Sequence, residues 1–392
     1  MITRYDELFC HQAVSTFDTP GTSAREWTER AWLQAHDTHG TAHLATGFGY
    51  YPNRNVMDAF VCFTIRDEVE YIVRASRELR PQIDVMRVGP FSYETVEPLK
   101  KVRFKLDENE YGLSFDLEIE GVSPLIEETP PQFQLSRGRV REHIQRMVQS
   151  GKLKGWIKAG NETFQMDEKW VGERDRSWGI RVAGADFLES GVQFPEIHSG
   201  QLFNFILMQF EDWGATFHIR EIWDDKLELA RRWHFGGSMF YLFGSEKEPM
   251  ELVNVEHFYR FNDSNPNQQR RFEGGKVILH LLDGTNKEVD IKPVSICYQS
   301  PGGYGGLYKG FIHGLWMGSQ WMDGYRLDLK DPEVMKEVWG YCDYGSEFRC
   351  DGQTGYGTTE LMVVGKYPRY GYEGYGTYSS LTESGSGQSE SK

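Results

Sequence analysis

Apolar and polar positions alternate with a period of two through much of the chain. Val69, Tyr71, Val73 and Ala75 interleave with Glu70, Ile72, Arg74 and Ser76, which predicts a strand. Residues 101–106 alternate basic with apolar. After the turn at Asp107-Glu108-Asn109, Tyr111, Leu113, Phe115, Leu117 and Ile119 alternate with Gly112, Ser114, Asp116, Glu118 and Glu120. That pair predicts a hairpin with one wet face. A second hairpin turns at Asp283-Gly284, a dipeptide that tight primed turns prefer, and a third at Gly160-Asn161. Turn signals recur roughly every 8–12 residues, as in sandwiches and barrels.

Helical spacing is scarce. Val140, Ile144, Met147 and Val148 fit a helix and a strand equally, and both readings stay open. Residues 331–338 predict one short helix, with Asp331 as N-cap and Pro332 in its first turn. The glycine-rich run 301–306 leads into strand-like sequence, so it predicts a loop and not a phosphate cradle. The chain reads as all-β. Its 14% aromatic content and 42 glycines agree with many strands and turns.

Charge narrows the partners. Lys and Arg number 43 against 58 Asp and Glu, a net charge of −15, which argues against nucleic acid or an anionic membrane. No stretch approaches the roughly 18 consecutive apolar residues of a spanning helix, and the first residues lack a basic start and apolar run, so a cytoplasmic protein is expected. The five cysteines, Cys10, Cys62, Cys297, Cys342 and Cys350, are scattered and predict free thiols, several of them buried.

Several residues could carry chemistry. His36, His39 and His43 have superficial metal-ligand spacing, but a tight hairpin at 37–40 would set His36 near Thr41 and His43 near Gln34, scattering the rings; no metal site is expected. Glu221 shares an apolar strand face with Phe217, Ile219 and Trp223, while His218 and Arg220 point the other way. His257 shares a face with Val255, Tyr259 and Phe261. Each is either a satisfied core polar group or a cavity acid or base. The densest constellation is 172–181, Gly-Glu-Arg-Asp-Arg-Ser-Trp-Gly-Ile-Arg. Its charges must be exposed or knotted together, and Asp175 is either a structural ion-pair partner or an acid at a cavity mouth.

That segment resembles the GxRDHSWGxR signature of a bacterial family. The family is related to the lipocalin-like superfamily containing hydroxyneurosporene synthase (carotenoid 1,2-hydratase), tocopherol cyclase and the AttH-like proteins. Residues 27–51 and 93–99, Arg103, Asp116-Leu117 and the late run Gly355-Tyr356-Gly357-Thr358-Thr359-Glu360 are similar too. The resemblance implies two consecutive lipocalin-like antiparallel β-sandwich or half-barrel domains, with a deep apolar cavity near their junction. Residues 1–190 would form the first, 191–378 the second, and the Ser/Gly/Glu-rich residues 379–392 a disordered tail. An acidic, proline-bearing stretch at 127–131 is the other candidate boundary. The resemblance also implies Asp175 as the proton-donating acid, with Arg174, Trp178 and Arg181 at the other fixed motif positions and Glu360 in the late element. Arg176 replaces the motif's histidine, and a guanidinium cannot shuttle protons.

The resulting expectation is a cofactor-independent hydratase, cyclase or isomerase. It would protonate a lipophilic isoprenoid, steroid-like or aromatic small molecule, with Asp175, Glu221 and His257 as acid–base candidates and Arg174, Trp178, Arg181 and Glu360 contacting substrate. The alternatives are a non-catalytic carrier of a hydrophobic small molecule and, behind it, carbohydrate binding through Trp316 and Trp321.

Overall fold

The structure is a computed structural model describing residues 1–7, 9, 11, 13–136, 138–181, 200–262, 270–338 and 341–374. The first half supplies β1 (Trp27–Asp37), β2 (Ala42–Tyr51), β3 (Val56–Ile65), β4 (Val69–Glu78), β5 (Arg87–Val88), β6 (Phe91–Glu97), β7 (Lys101–Leu106), β8 (Leu113–Gly121), β9 (Ile126–Glu127), β10 (Gln132–Ser136), β11 (Arg139–Ala159), β12 (Glu162–Gln165) and β13 (Trp170–Ile180). The second supplies β14 (Gly200–Gln209), β15 (Trp213–Asp224), β16 (Leu229–Tyr241), β17 (Met250–Asn262), β18 (Arg271–Leu281), β19 (Asn286–Tyr298), β20 (Gln320–Asp328), helix α1 (Pro332–Val338), β21 (Cys342–Cys350), β22 (Gln353–Tyr367) and β23 (Tyr372–Glu373).

Two large antiparallel sheets result. The first runs β20-β4-β3-β2-β1-β13-β11-β8-β7-β6-β5. Its last strand returns against β3 and β4, rolling the sheet into a half-barrel around Leu33, Leu44, Phe48, Phe63, Phe91, Phe104 and Phe115. The second runs β14-β15-β16-β17-β18-β19-β21-β22 and closes through a further β14–β22 pairing. Eight strands in an up-and-down ring are a lipocalin-like barrel. Its interior is filled by residues such as Phe217, Ile219, Val255, Phe272, Val277, Val289, Phe348 and Val363.

The two sheets are interlocked. Strand β20 comes from the second half of the sequence and adds to the open edge of the first sheet at β4. Arg74, fully buried on β4, pins it there: its guanidinium donates to both Asp323 oxygens (2.8 and 2.6 Å) and to the carbonyls of Pro301 and Tyr308 (3.1 and 2.8 Å). Segment 299–319 and the face of the second barrel cover the outer face of β1–β4, where Trp32, Phe60, Cys62 and Ile72 join the core of the second half. Strands β2 and β3 are thus buried on both faces, which is why they read as nearly continuous apolar runs.

The ambiguous run around Ile144 is strand, the first third of the 21-residue β11. The predicted helix forms, with Asp331 Oδ1 accepting the Glu333 N–H at 2.9 Å and its carbonyl accepting that of Met335 at 3.0 Å. Cys62, Cys297, Cys342 and Cys350 are free and buried. The boundary near residue 191, the tail after 378 and Cys10 lie outside the described residues. No helix among the described residues is long and apolar enough to cross a membrane.

One register expectation fails. His36 and His43 are direct cross-strand partners, because the β1–β2 turn spans four residues, Thr38 to Thr41, instead of closing tightly. Their rings stand 5.6 Å apart. His43 Nε2 meets the Gln34 side-chain amide at 2.8 Å and His36 Nε2 donates to the Gly357 carbonyl at 3.1 Å. Through Gly357 of β22 and through Ser295 of β19, which meets His43 Nδ1 at 3.2 Å, they bind the two sheets together, and among the described residues no group of His, Cys, Asp and Glu is placed to hold a metal ion.

Candidate functional site

Strand alternation splits the 172–181 motif between two environments. Glu173, Asp175 and Ser177 face the second sheet, together with Arg30, Trp32 and Gln34 of β1 and Arg146, Val148 and Ser150 of β11. Arg174, Arg176 and Trp178 point the other way. Arg174 turns into the half-barrel, where its Nε donates to Gln149 Oε1 at 2.9 Å. Arg176 pairs with Glu29 at 2.6 Å and donates to the Arg30 carbonyl. Trp178 lies half-buried between the strand positions of Glu29 and Gln145. Arg176, standing where the motif has histidine, is therefore on the face opposite Asp175.

The late motif supplies the facing wall. Gly355 and Gly357 lie on β22 beside β14, and a Cβ on Gly357 would come 2.6 Å from Glu173 Oε1. Glycine there lets the Glu173 carboxyl nestle onto the opposing strand. Glu360 faces the first sheet with its Oε2 accepting the Tyr341 hydroxyl at 3.0 Å. Directly across from it on β21 stands Asp343, fully buried.

Four carboxyls thus meet between the sheets: Glu173, Asp175, Asp343 and Glu360. Like charges directly opposite one another in a dry site cannot all ionise. Burial pushes Glu173 and Asp343 well up, and Glu360 aggravates both. Burial raises Asp175 as well, opposed by Arg146 and Arg181. Glu360 is pushed up to about 7, burial and Asp175 outweighing the pull of Arg146 and Tyr341. Both oxygens of Glu173 and of Asp343 are buried without a well-formed hydrogen bond; the Thr358 N–H and the Gln299 side chain are the donors that favour their ionised forms against burial.

Arg146 is the central cation. Its Nε lies 3.6 Å from Asp175 Oδ2, its Nη1 3.4 Å from Glu128 Oε1, and its guanidinium over the Phe205 ring. Glu128 sits in the acidic stretch considered as a linker. His218, behind it, is fully buried; Arg220 Nε donates to its Nε2 at 3.2 Å. Burial and the charges of Arg146 and Arg220 hold it well below the usual histidine range, so it is neutral. Asp175 keeps 13% side-chain exposure, and Arg30, Arg181, Tyr304 and Tyr341 around the cluster are likewise only half-buried. Phe203, Tyr341 and Tyr304 form a continuous aromatic wall, with ring centroids 5.8 and 5.2 Å apart.

Glu221 and His257 occupy a separate place, inside the second barrel on the face of β15 opposite His218. Glu221 accepts from Arg232 at 3.0 Å, from Tyr367, and from His257 Nε2 at 3.3 Å. Burial would raise it, but His257, Tyr367 and Arg232 prevail and hold it down to about 2. The Tyr370 hydroxyl donates to His257 Nδ1 at 2.6 Å, and burial lowers His257 despite the carboxylate. Both are satisfied: an ionised glutamate beside a neutral imidazole. Of the sequence candidates, the structure brings together Asp175, Arg181 and Glu360, and leaves Arg174, Trp178, Glu221 and His257 elsewhere. Sequence reading missed Glu173's role in the cluster, Asp343, Arg146, Tyr341 and the buried pair Asp58 and His313. The alternating position of Arg146 between Ile144 and Val148 was the one available signal, a cation on an apolar strand face.

Residues 2–373 match the model of a family of unknown function, DUF8625. The chain belongs to that family. No curated protein matches its sequence. Among solved structures, an AttH-like protein from Nitrosomonas europaea superposes with a TM-score of 0.51 at 11% identity, over 86% of this chain and 92% of that one, so the two share a fold. CghA (TM-score 0.48, 10% identity, 87% and 88% covered) and kievitone hydratase from Nectria haematococca (0.38, 11%, 91% and 94%) are more distant.

Proposed function

We propose that this member of DUF8625 is a proton-transfer enzyme. A protonated carboxyl of the inter-sheet cluster adds its proton to a double bond of a lipophilic isoprenoid, steroid-like or aromatic molecule. The observation that carries this reading is the meeting of the two motifs, Glu173 and Asp175 against Gly357 and Glu360, as mutually opposed carboxyls beside an aromatic wall. An acid poised near neutral pH is what general acid catalysis requires. Glu360, at about 7, meets that requirement, and Asp175, the least buried member, is the one that a substrate would touch. Charge developing on carbon would lie against the faces of Tyr304, Tyr341 and Phe203. Burial and mutual repulsion limit how many of the carboxyls ionise, while Arg146 and Arg181 favour the ionised form of those they face, so that only part of the cluster stays protonated. The resemblance of the 172–181 motif to that of alkene-protonating enzymes supports the same chemistry; shared fold alone does not fix it.

The test compares wild type, Asp175→Asn and Glu360→Gln in D2O with farnesol, geranylgeraniol, a sterol and a prenylated phenol, followed by mass spectrometry. Wild type should fix deuterium into at least one compound, and each folded variant should lose about 10²-fold or more of that rate. Undiminished turnover in a folded Asp175→Asn protein removes Asp175 from the mechanism. Ligand extracted from all three proteins with no change in mass makes the chain a carrier.

A further inference from the structure

Asp58 lies in the same row as the acid motif: Ser177, Arg30, Gly49 and Asp58 are successive cross-strand neighbours on β13, β1, β2 and β3. Three strand spacings set Asp58 roughly 14 Å from β13 along the same covered face. Asp58 is fully buried. Its Oδ2 accepts the Gly314 N–H at 2.7 Å and its Oδ1 meets His313 Nδ1 at 3.3 Å. A carboxylate on Nδ1 selects the tautomer with its proton there and leaves Nε2 a bare lone pair. That Nε2 is buried and has no hydrogen-bond partner, although His313 is only 3% exposed. Most buried side-chain polar atoms are paired, because an orphaned one costs stability; among the described histidines only His234 shares this feature, and it has no carboxylate on its other nitrogen. The ring packs against Phe60 and Tyr304, centroids 4.8 and 5.4 Å away. Tyr304 in turn lies tilted against Tyr341, whose hydroxyl holds Glu360. Gly49 keeps the row open, since a Cβ there would stand 2.3 Å from the Tyr51 hydroxyl and 2.4 Å from Asp58 Oδ1.

We propose that His313, positioned by Asp58, is the proton acceptor of the inter-sheet site, at the end of the Tyr304–Tyr341 wall opposite the acid. This rests on the protonation reading above and makes the net reaction a cyclisation instead of addition of water. The carboxyl O–H protonates one carbon of a C=C bond, and the resulting cation closes a ring onto a second double bond, which carries the charge along the wall toward His313. His313 Nε2 then removes a neighbouring C–H proton, whose electron pair becomes the new C=C. The imidazolium releases its proton to solvent and the carboxylate takes one up, so atoms and charge balance and the product is an isomer.

Two measurements test this. Long-range ¹H–¹⁵N spectra of the labelled full chain should show His313 with a protonated Nδ1 and an unprotonated Nε2 between pH 6 and 8; a proton on Nε2 overturns the proposal whatever the substrate. In D2O with the four compounds named above, the wild-type product should carry deuterium but no added water. His313→Gln retains an N–H for Asp58 and cannot accept a proton; it should form that isomer about 10²-fold to 10⁴-fold more slowly, and imidazole added to His313→Ala should restore part of the rate. Asp58→Asn, if folded, should lower the rate and shift the His313 proton to Nε2. A hydrated product, or full activity in His313→Gln, overturns the proposal while leaving the acid intact. Absence of deuterium from every compound, with the expected His313 tautomer, rejects the acid and the acceptor together.

Discussion

Glu221 and Glu360 are the same residue in two buried settings, and the partners decide their charge. Glu221 has a guanidinium, an imidazole N–H and a phenol aimed at it, so its ionised form is the stable one. Its folded value, about 2, lies below the ordinary 4.5. The stabilisation is present above pH 4.5 and is lost as pH falls toward 2. Glu221→Gln should therefore cost about 3–5 kcal/mol at pH 7, the range for leaving a buried partner unpaired, with the deficit shrinking in acid; a neutral effect in urea titrations at pH 7 contradicts this. Glu360 works with the opposite sign. Its folded value, about 7, lies above 4.5, so ionising it destabilises the fold progressively as pH rises from 4.5 through 7. That cost amounts to roughly 3 kcal/mol at pH 8. Glu360→Gln removes it, so the variant's Tm relative to wild type should climb by several degrees between pH 4.5 and pH 8. A pH-independent difference would show that Glu360 is ionised at neutral pH in the folded protein.

At the scale of strands, period-two alternation was enough to assign β4, β7, β8 and the faces of β15 and β17, and the Asp283-Gly284 turn placed the end of β18. It could not say what covered the second face. His218 and Arg220 were legible as opposite to Glu221, but sequence offers no sign that their face is buried under Glu128 and Gln132 of the other sheet. The candidate site was half legible for the same reason. Asp175 and Glu360 stood out within motifs, whereas Asp343 and Asp58 lie in no motif, and Asp58's side-chain partner His313 lies in a loop without periodicity, 255 residues away. Strand β20 was legible only as sequence near Trp321, not as an edge of the first sheet. What attaches it is Arg74, enclosed by the rings of Tyr308, Phe311, Trp321 and Tyr325 as well as by Asp323. Arg74→Met keeps the volume but leaves Asp323 and the carbonyls of Pro301 and Tyr308 without their donor. Amide hydrogen exchange should then accelerate at least tenfold across 320–328 while β2 and β3 stay protected; unchanged protection of 320–328 would mean that backbone pairing with β4 suffices.

The whole molecule is built so that neither half presents a finished surface alone. Residues 1–181 contain the half-barrel core, but the outer face of β1, β3, β4, β11 and β13 carries Trp32, Phe60, Asp58, Arg74, Arg146, Glu173 and Asp175, which face residues after 199. Without that cover, Trp32 and Phe60 become an exposed apolar patch, and Glu173 and Asp175, two positions apart on β13, become hydrated and ionised at neutral pH. The open edge at β4 also loses β20 and becomes a strand edge available to other chains. The two sheets should consequently unfold as one unit despite the two cores: calorimetry of the full chain should give a single transition with equal calorimetric and van't Hoff enthalpies. The fragment 1–181, expressed alone, should be aggregation-prone, or soluble only as an expanded state that binds anilinonaphthalene sulfonate and lacks near-ultraviolet circular dichroism. Two resolved transitions in the full chain, or a monomeric 1–181 fragment with native-like near-ultraviolet signal, would mean that the inter-sheet face is a docking surface between independent domains. The carboxyl cluster would then owe its raised protonation to closure of that interface, and the deuterium-fixing activity should disappear whenever the halves separate.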